Sequence, residues 1–480
     1  MSSQESERSV AVLAREIPYR DPIEVFAVFA KDQSSVFLDS AQVLERLGRY
    51  SFIAAEPFQV LESKNGRVTL DGSAAQGDPF EVLAREIGRF PVARQSELPP
   101  FQGGVAGYLG YDLGQHLEHL PKARSDDMAF PDLAVGFYDT VIAFDHREKR
   151  AWVLSSGHPD SDPDARRARA EARADHFERR LAAAPRDLPP PPVPDEAPRV
   201  ESNFTRPDYE KAIQRVIDYI HAGDIFQANL AQRFRATLPA GITPFDLYRR
   251  LRALNPAPFA AYLDFGGTVV ASSSPERFLK LRDGRVETRP IKGTRPRGAT
   301  PAEDDALALE LLGSEKDKAE NVMIVDLLRN DLSRVCRDDS VQVPELCVLE
   351  TYATVFHLVS TVVGELLPGA TAIDLLKASF PGGSITGAPK IRAMEIIAEL
   401  EPTQRGPYCG SIGYLSFTGD MDSNIVIRTY AIKDGTVTFQ AGGGIVADSR
   451  PDAEYEETLD KARALMAALA PNASPDGTAP

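Results

Sequence analysis

The sequence predicts a mixed fold of β-strands and α-helices, with strands dominating the first third of the chain. Short apolar runs such as 36–40, 52–55 and 134–144 alternate with turn residues, a pattern typical of strands. Beyond Phe204, apolar residues also recur at helical spacing, so strands and helices mix there.

A composition change separates two regions of the chain. Residues 163–184 are rich in Ala, Arg and Glu and predict an exposed helix. The run Leu-Pro-Pro-Pro-Pro-Val-Pro at 188–194 favours extended geometry and predicts a linker or surface strap. We therefore expect an N-terminal region at 10–155, a helix and linker at 156–200, and a third region at 201–470.

Four helices are expected in the third region. Proline suits the first position of a helix but cannot continue one, and a side-chain cap or a glycine marks other ends. The predicted helices run from Thr205 to Gly223, from 316 to 335, from Pro389 to the residue before Pro402, and from a capping-box-like start at Ser449 through Lys461.

The composition excludes several classes of function. Lys and Arg number 54 and Asp and Glu number 70 among 480 residues, giving a formal charge of −16. This balance argues against general nucleic-acid binding, which needs clustered cations. If the substrate is an anion, local positive groups must overcome the repulsive overall field.

The polarity of the chain argues against export and membrane insertion. Residues 1–8 are polar and lack the apolar core of a signal peptide, and no apolar run approaches the roughly 18 residues of a span. Three scattered cysteines, Cys336, Cys347 and Cys409, support neither a disulfide framework nor a zinc site. We expect a cytoplasmic protein with no membrane partner.

Three glutamates stand out on predicted helices. Glu320 shares a helical face with apolar Ile324 and Leu327, so it either pairs with a cation such as Lys316 or binds a metal. Glu454 and Glu457 lie on one face, where they would repel unless a cation such as magnesium relieves them. Acidic residues in a first helical turn also favour the helix dipole, and that alternative stays open.

Two glycine-rich segments and one lysine cluster are further candidates. Residues 380–390 lead a glycine loop into a helix, and residues 440–449 end a strand with three glycines; both are anion-binding geometries or simply tight turns. Lys292 lies in sequence among Arg289, Arg295 and Arg297, and nearby cations together with desolvation would lower its pKa and make the amine nucleophilic. The alternative is a solvated basic loop.

Taken in order, these segments resemble the chorismate-utilising enzymes, and among them component I of the aminodeoxychorismate synthases. The resemblance is strongest from about 204 to 465 and thinner before 150, where 36–40 and 48–52 are similar to the family's amino-acid-binding segment. The matching runs are Ser274–Phe278, Arg289–Arg295, Glu320–Asp331, Gly382–Lys390, Gly410–Tyr414, Ile427–Thr429 and Ala441–Val446.

The resemblance implies an α+β fold, a large two-sheet antiparallel β-sandwich with flanking helices, and a role for each matching residue. Glu276 matches the general acid, Lys292 the nucleophile, and His357 a histidine beside the substrate ring. Glu320 and Glu457 match magnesium ligands, with Glu454 supporting them. The residues that match substrate-binding positions are Thr294, Thr386, Lys390, Tyr414, Arg428, Gly442 and Gly443. Those that match an amino-acid pocket, for which tryptophan is the candidate ligand, are Ser40, Tyr50, Ser51, Pro258 and Phe259.

Two positions favour one branch of the family. Aminodeoxychorismate synthases resemble this chain at Pro-Ile-Lys-Gly-Thr, whereas anthranilate synthases have alanine in place of Lys292. Isochorismate and salicylate synthases carry a water-activating lysine where this chain has Gln227, and glutamine cannot serve as a base.

The implied reaction converts chorismate and ammonia to 4-amino-4-deoxychorismate, with magnesium as cofactor. No Gly-x-Cys-x-Gly nucleophile elbow is present in the sequence, so ammonia is expected from a separate glutamine amidotransferase subunit. The alternatives are an anthranilate synthase component I and, more remotely, an inactive amino-acid-binding paralogue.

Overall fold

The computed structural model describes residues 11–121, 125–352 and 355–471, so the polar segment 1–8 lies outside the described residues. The helices are α1 (Pro22–Phe26), α2 (Pro79–Ile87), α3 (Pro163–Ala182), α4 (Arg206–His221), α5 (Pro244–Leu254), α6 (Pro301–Gly313), α7 (Glu315–Ser333), α8 (Ala372–Ser379), α9 (Lys390–Leu400) and α10 (Pro451–Leu469). Short 3₁₀ helices span Tyr111–His116, Asp338–Ser340 and Gly383–Ile385.

The strands, in chain order, are β1 (Leu13–Ile17), β2 (Ser35–Asp39), β3 (Tyr50–Ala54), β4 (Gln59–Lys64), β5 (Arg67–Leu70), β6 (Ser73–Ala75), β7 (Gly104–Leu109), β8 (Leu133–Tyr138), β9 (Thr140–Asp145), β10 (Arg150–Ser155), β11 (Glu201–Ser202), β12 (Gln227–Thr237), β13 (Phe259–Phe265), β14 (Thr268–Ser274), β15 (Arg277–Arg282), β16 (Arg285–Thr288), β17 (Ile291–Pro296), β18 (Gln342–Thr351), β19 (Val355–Glu365), β20 (Gly387–Ala388), β21 (Ser411–Ser416), β22 (Met421–Asn424), β23 (Thr429–Lys433) and β24 (Thr436–Ile445).

These strands form two large sheets whose ladders are antiparallel. The first runs β1-β10-β9-β3-β2-β13-β14-β23-β24-β12-β11 with β20 on β12, and the second runs β17-β19-β16-β15-β22-β21-β7-β8-β4-β5-β6 with β18 on β19. The predicted α+β class is confirmed. Both sheets contain strands from before and after the 156–200 segment, as β2 pairs with β13 and β7 with β21.

The main core lies between the two sheets. Val36 and Leu263 from the first sheet join Val105 and Val135 from the second in one buried apolar cluster. A second cluster covers the outer face of the first sheet, where α1, α3, α5 and α10 contribute residues such as Phe177. Burial of this much apolar surface is the dominant favourable contribution to folding.

The predicted helices form close to their expected ends. Thr205 caps α4, and Pro389 precedes α9 as its cap instead of occupying its first turn. The capping box expected at Ser449 is wrong, because Arg450 is the cap of α10 and Ser449 Oγ instead donates to Glu454 over 2.6 Å. The proline-rich run has no regular structure and accepts a hydrogen bond from Arg249 at Pro189 O.

Across the described ranges, none of the helices is both long enough and apolar enough to cross a membrane.

Candidate active site

A cavity of about 590 Å³ lies where β12, β17, β19, β24, α7 and α10 approach one another. Its wall carries five basic side chains, which is as many as its acidic ones, although the whole chain is acidic. The lining side chains that bear charge are Glu276, Lys292, Arg295, Lys316, Asp317, Glu320, Arg428, Glu454, Glu457 and Lys461. The local balance therefore removes the repulsion that an anion would meet from the bulk charge.

Lys292 extends from β17, next to a register shift that separates it from Thr294 in the pairing with β19. Its Nζ donates to the carbonyl of Ser384 over 3.1 Å. Burial lowers the pKa of Lys292, while the charges of Glu320 and Glu276 oppose that shift. A lowered pKa increases the share of neutral amine, the form that attacks a carbon centre.

The three arginines expected to lower that pKa do not do so. Each forms an ion pair with carboxylates: Arg289 with Glu350, Arg295 with Glu310 and Asp317, and Arg297 with Asp304. Of the two expected causes, burial lowers the pKa of Lys292, and the cation that contributes is Lys461 instead of the arginines. Sequence proximity did not reveal that carboxylates elsewhere in the chain pair with these arginines.

Glu276 lies in the turn between β14 and β15 and is 6% exposed. Burial raises the pKa of its carboxyl, although the Ser384 side chain, Lys292 and the Ile291 N–H lower it. Its backbone carbonyl accepts from Ile425 N over 3.0 Å. A carboxyl with a raised pKa keeps its proton closer to neutral pH and can act as a general acid.

Three glutamates form one wall of the cavity. Lys316 approaches Glu320 at 4.0 Å, and Lys461 pairs with Glu457 at 2.6 Å. Burial raises the pKa of Glu320 and of Glu454, whereas Lys461 contributes to lowering the pKa of Glu457 against its burial.

Within the described ranges, no group of three or more acidic, histidine or cysteine side chains is arranged to hold a metal ion. Magnesium, however, usually takes only one or two carboxylates, with waters and substrate completing its shell. The carboxylates of Glu320 and Glu457 provide oxygen ligands of the kind that magnesium prefers, so these residues are chemically suited to bind it. Gly443 gives the acids room, because a Cβ there would lie 3.0 Å from Glu454 Oε2 and 3.6 Å from Glu457 Oε1.

His357 faces the cavity from β19. Its Nδ1 lies 2.8 Å from Thr294 Oγ1, and its ring meets Tyr352 edge-on at 5.1 Å. Burial, together with the charge of Arg428, lowers the pKa of His357 to about 4. The imidazole is therefore neutral at physiological pH and can exchange hydrogen bonds with a ligand.

Arg428 supplies a cation between β22 and β23. Its φ of 51° is unusual for a residue with a side chain, and such strain is often found at functional sites. Burial lowers the pKa of Arg428, and Glu276 opposes the shift. Gly442 also lines the cavity, and its carbonyl accepts from Lys461 Nζ over 2.9 Å.

Two residues expected to bind substrate lie outside this cavity. Lys390 Nζ donates to Asp331 Oδ2 over 2.6 Å and to the carbonyl of Ser379 over 2.8 Å. Thr386 is fully buried, and its hydroxyl donates to the carbonyl of Gly382 over 3.1 Å. Both side chains hold the glycine loop together, and only Ser384 and Ile385 of that loop reach the cavity.

Tyr414 was also expected at the substrate, but its ring stacks on Phe101 at 4.7 Å and lines a second cavity. Ile412 and Gly413 of the same strand also line the second cavity, and none of the residues of β21 lines the first one. Tyr408, six positions earlier and before β21, lines the first cavity instead.

The second cavity has a volume of about 250 Å³. Ser40, Tyr50, Pro258 and Phe259 line it as expected for one pocket, whereas Ser51 lies behind the wall. The Oγ of Ser51 accepts from the backbone N–H of Ser40 over 2.9 Å. The resemblance alone connects this set of residues to amino-acid binding.

Sequence reasoning missed several side chains of the first cavity. Asn229 lines it with an Oδ1 that is buried and has no hydrogen-bond partner in the described part of the chain. Lys461 lies four positions after Glu457, and this i,i+4 spacing could have indicated it, just as the same spacing indicated Lys316 as a partner of Glu320. Gln227 is buried against Gly444 at the edge of the same site.

Comparison with known proteins adds independent evidence. Residues 33–467 match the chorismate binding enzyme family. Anthranilate synthase component 1 of Thermus thermophilus is 43% identical over 93% of this chain and 95% of its own length. Aminodeoxychorismate synthase component 1 of Escherichia coli is 42% identical over 91% and 93%.

A solved structure agrees with these sequence matches. Anthranilate synthase component I of Streptococcus pneumoniae is similar with a TM-score of 0.76 and 35% identity, covering 88% of this chain and 94% of that one. The family match spans most of the chain, and relatives with both product names are similarly close. The chain belongs to the chorismate binding enzyme family.

Proposed function

We propose that the chain converts chorismate and ammonia to 4-amino-4-deoxychorismate, as component I of an aminodeoxychorismate synthase in the cytoplasm. The observation that carries this proposal is the buried Lys292 amine beside the buried Glu276 carboxyl in one cavity. A nucleophile and a general acid that share one site can split a difficult displacement into two easier ones.

In the first step, the neutral Lys292 amine attacks ring carbon 2. Both conjugated ring double bonds shift, the bond from carbon 4 to its hydroxyl breaks, and Glu276 gives that hydroxyl a proton so that water leaves. In the second step, ammonia adds at carbon 4, both double bonds shift back, the bond to Lys292 breaks, and the proton that the new amine loses returns to Glu276. The net reaction consumes chorismate and ammonia and releases water, and the pyruvyl ether stays attached.

The remaining residues bind and orient the substrate. Glu320 and Glu457, supported by Glu454, would hold Mg²⁺, whose charge would neutralise the ring carboxylate. Arg428 and Tyr408 offer donors to the other carboxylate. Thr294, His357 and the backbone of Gly442 and Gly444 complete the wall around the ring. Gly443, which was expected there, is not part of that wall and lies beside Glu454 and Glu457.

Ammonia is proposed to come from a separate glutamine amidotransferase subunit. A glutaminase needs a reactive thiolate. Burial raises the pKa of the Cys336 thiol to about 11 and that of the Cys409 thiol to about 12, and it also raises the pKa of Cys347. These thiols are therefore poor nucleophiles at neutral pH.

Anthranilate synthesis is the second candidate, because the Thermus relative of that name is as similar as the Escherichia one. Incubation with chorismate, ammonium and magnesium, followed by chromatography, separates the two. Aminodeoxychorismate without pyruvate supports the proposal. Anthranilate formed without an added lyase would refute it, and a chain that consumes no chorismate would favour an inactive paralogue.

We also propose that the second cavity binds an amino acid, with tryptophan as the first one to test. Ser40, Tyr50, Pro258 and Phe259 would contact it, and Ser51 would orient Ser40. Titration calorimetry with tryptophan and with lysine tests this idea. Binding heat from tryptophan in the unaltered chain, together with its loss in the Ser40→Trp variant whose new side chain fills the cavity, would support the proposal. The absence of binding heat with both amino acids would contradict it.

A further inference from the structure

Behind the wall of the active-site cavity lies a buried ion pair that the proposed mechanism does not use. The side chains of Arg405 and Glu401 are 1% and 4% exposed, and their closest atoms lie 2.6 Å apart. Neither side chain lines the cavity. Burying two charges is costly unless further hydrogen bonds satisfy them, so the remaining partners of this pair need an explanation.

Those hydrogen-bond partners belong to residues that line the cavity. Arg405 donates to the carbonyl of Ile385 over 3.1 Å and to the carbonyl of Asn229 over 2.6 Å. Its own carbonyl accepts from Gln440 Nε2 over 2.8 Å. Ile385, Asn229 and Gln440 all line the cavity, although they lie on separate segments of the chain.

Two further contacts extend this arrangement. Glu401 Oε1 accepts from the backbone N–H of Ala231 over 2.9 Å, on the same strand as Asn229. The Arg405 guanidinium lies 5.8 Å from the ring centre of Tyr408, another cavity residue, and 4.5 Å from that of Tyr111. One guanidinium thus connects the strand, the glycine loop and the tyrosine of the site.

The glycine loop gives Arg405 a route to the reacting groups. Ile385 follows Ser384, whose carbonyl accepts from Lys292 Nζ over 3.1 Å and whose hydroxyl contacts the Glu276 carboxyl. A shift of Ile385 would therefore move both partners of the proposed displacement. Small errors in such geometry are expensive, because the reacting atoms must approach in a narrow range of positions.

We infer that Arg405, held by Glu401, is a positioning residue that fixes Ser384 and hence the Lys292 amine and Glu276 carboxyl for reaction. This inference rests on the proposed function. Only arginine suits the position, because its planar fork donates to Glu401 and to two backbone carbonyls at once. Lysine has the charge but only a single nitrogen to reach those acceptors.

The test compares Arg405→Lys with Arg250→Lys in the full chain. Arg250 is a matched control because it is also buried and donates to backbone carbonyls, those of Ala468 and Ala470, away from the cavity. We expect Arg405→Lys to lower kcat for chorismate consumption by about 10- to 100-fold while the KM changes little. The Arg250 variant should keep kcat, with any loss confined to its melting temperature.

Unchanged kcat in folded Arg405→Lys would overturn the inference, and so would a loss that only follows the unfolded fraction measured by circular dichroism. If Arg405→Lys does not fold, Glu401→Gln decides, since its amide keeps one acceptor for Arg405. A folded Glu401→Gln with lowered kcat supports the inference, and one with normal kcat overturns it. Product identity in the unaltered chain tests the proposed function separately.

Discussion

Replacement of Lys292 by alanine separates catalysis from stability. The change removes an amine whose charge interacts with the carboxylates of Glu276, Glu320 and Glu457. Without it the covalent route is closed, and we expect kcat for aminodeoxychorismate formation to fall about 1000-fold, which corresponds to ~4 kcal/mol of activation free energy.

The expected effect of the same change on folding is small. The Lys292 hydrogen bond to the Ser384 carbonyl is lost, which costs about 1–2 kcal/mol. Removing a buried amine also relieves its desolvation, and the two effects oppose each other. Calorimetry should therefore show an unfolding free energy within about 2 kcal/mol of the unaltered chain.

The charge change also has a pH signature. Lys292 opposes the rise of the Glu276 pKa that burial causes. Without the lysine that pKa rises further, so Glu276 keeps its proton to higher pH and the alkaline limb of any residual activity should move upward. The matched control is Lys318→Ala, which removes a surface lysine paired with Glu315 and should leave the rate unchanged.

The assay is chromatography of the product after incubation with chorismate, ammonium and magnesium. A second measurement follows the intact mass of the unaltered chain with chorismate but no ammonia, where we expect an adduct of chorismate less one water on Lys292. Near-full activity in Lys292→Ala would refute the covalent route. An adduct on another residue would contradict the assignment of the nucleophile.

Three other substitutions follow from the site. Glu320→Gln should raise the magnesium concentration needed for half-maximal rate about tenfold or more, whereas the control Glu315→Gln, at an exposed side chain, should leave it unchanged. The same magnesium dependence in both variants would contradict the proposal that Glu320 binds the metal ion. Lys390→Met leaves the buried Asp331 carboxylate unpaired, so denaturant titration should show a loss of about 3–5 kcal/mol of unfolding free energy. The KM for chorismate of the folded variant should not change, and a raised KM would indicate that Lys390 binds the substrate. Tyr408→Phe should raise KM about tenfold while Tyr414→Phe does not, and the reverse order would contradict the assignment of the cavities.

Local sequence patterns were enough to predict much of the secondary structure. The cap at Thr205 and the proline before α9 mark helix ends that the structure has. They could not show that the Ser449 hydroxyl donates to the Glu454 side chain instead of capping the backbone of α10, because a short-range motif does not reveal which partner that hydroxyl binds. The pairing of the two sheets depends on contacts between distant residues, and it came only from the resemblance.

In the candidate site, too, some residues could be predicted from local sequence patterns and others only from the fold. Lys292 and the three glutamates were candidates because they are charged residues in unusual local surroundings, whereas Glu276 came only from the resemblance. Lys390 lies outside the cavity because its amine pairs with Asp331, 59 positions away, and a sequence does not reveal such a pair. Tyr408 was missed in favour of Tyr414 since only the fold shows which of two nearby tyrosines faces which cavity.

The identity of the product made from chorismate tests the central claim most directly. The chain should be supplied with chorismate, ammonium and magnesium, without a lyase or amidotransferase, and the products separated by chromatography. The account predicts 4-amino-4-deoxychorismate with no release of pyruvate. Anthranilate together with pyruvate would contradict it.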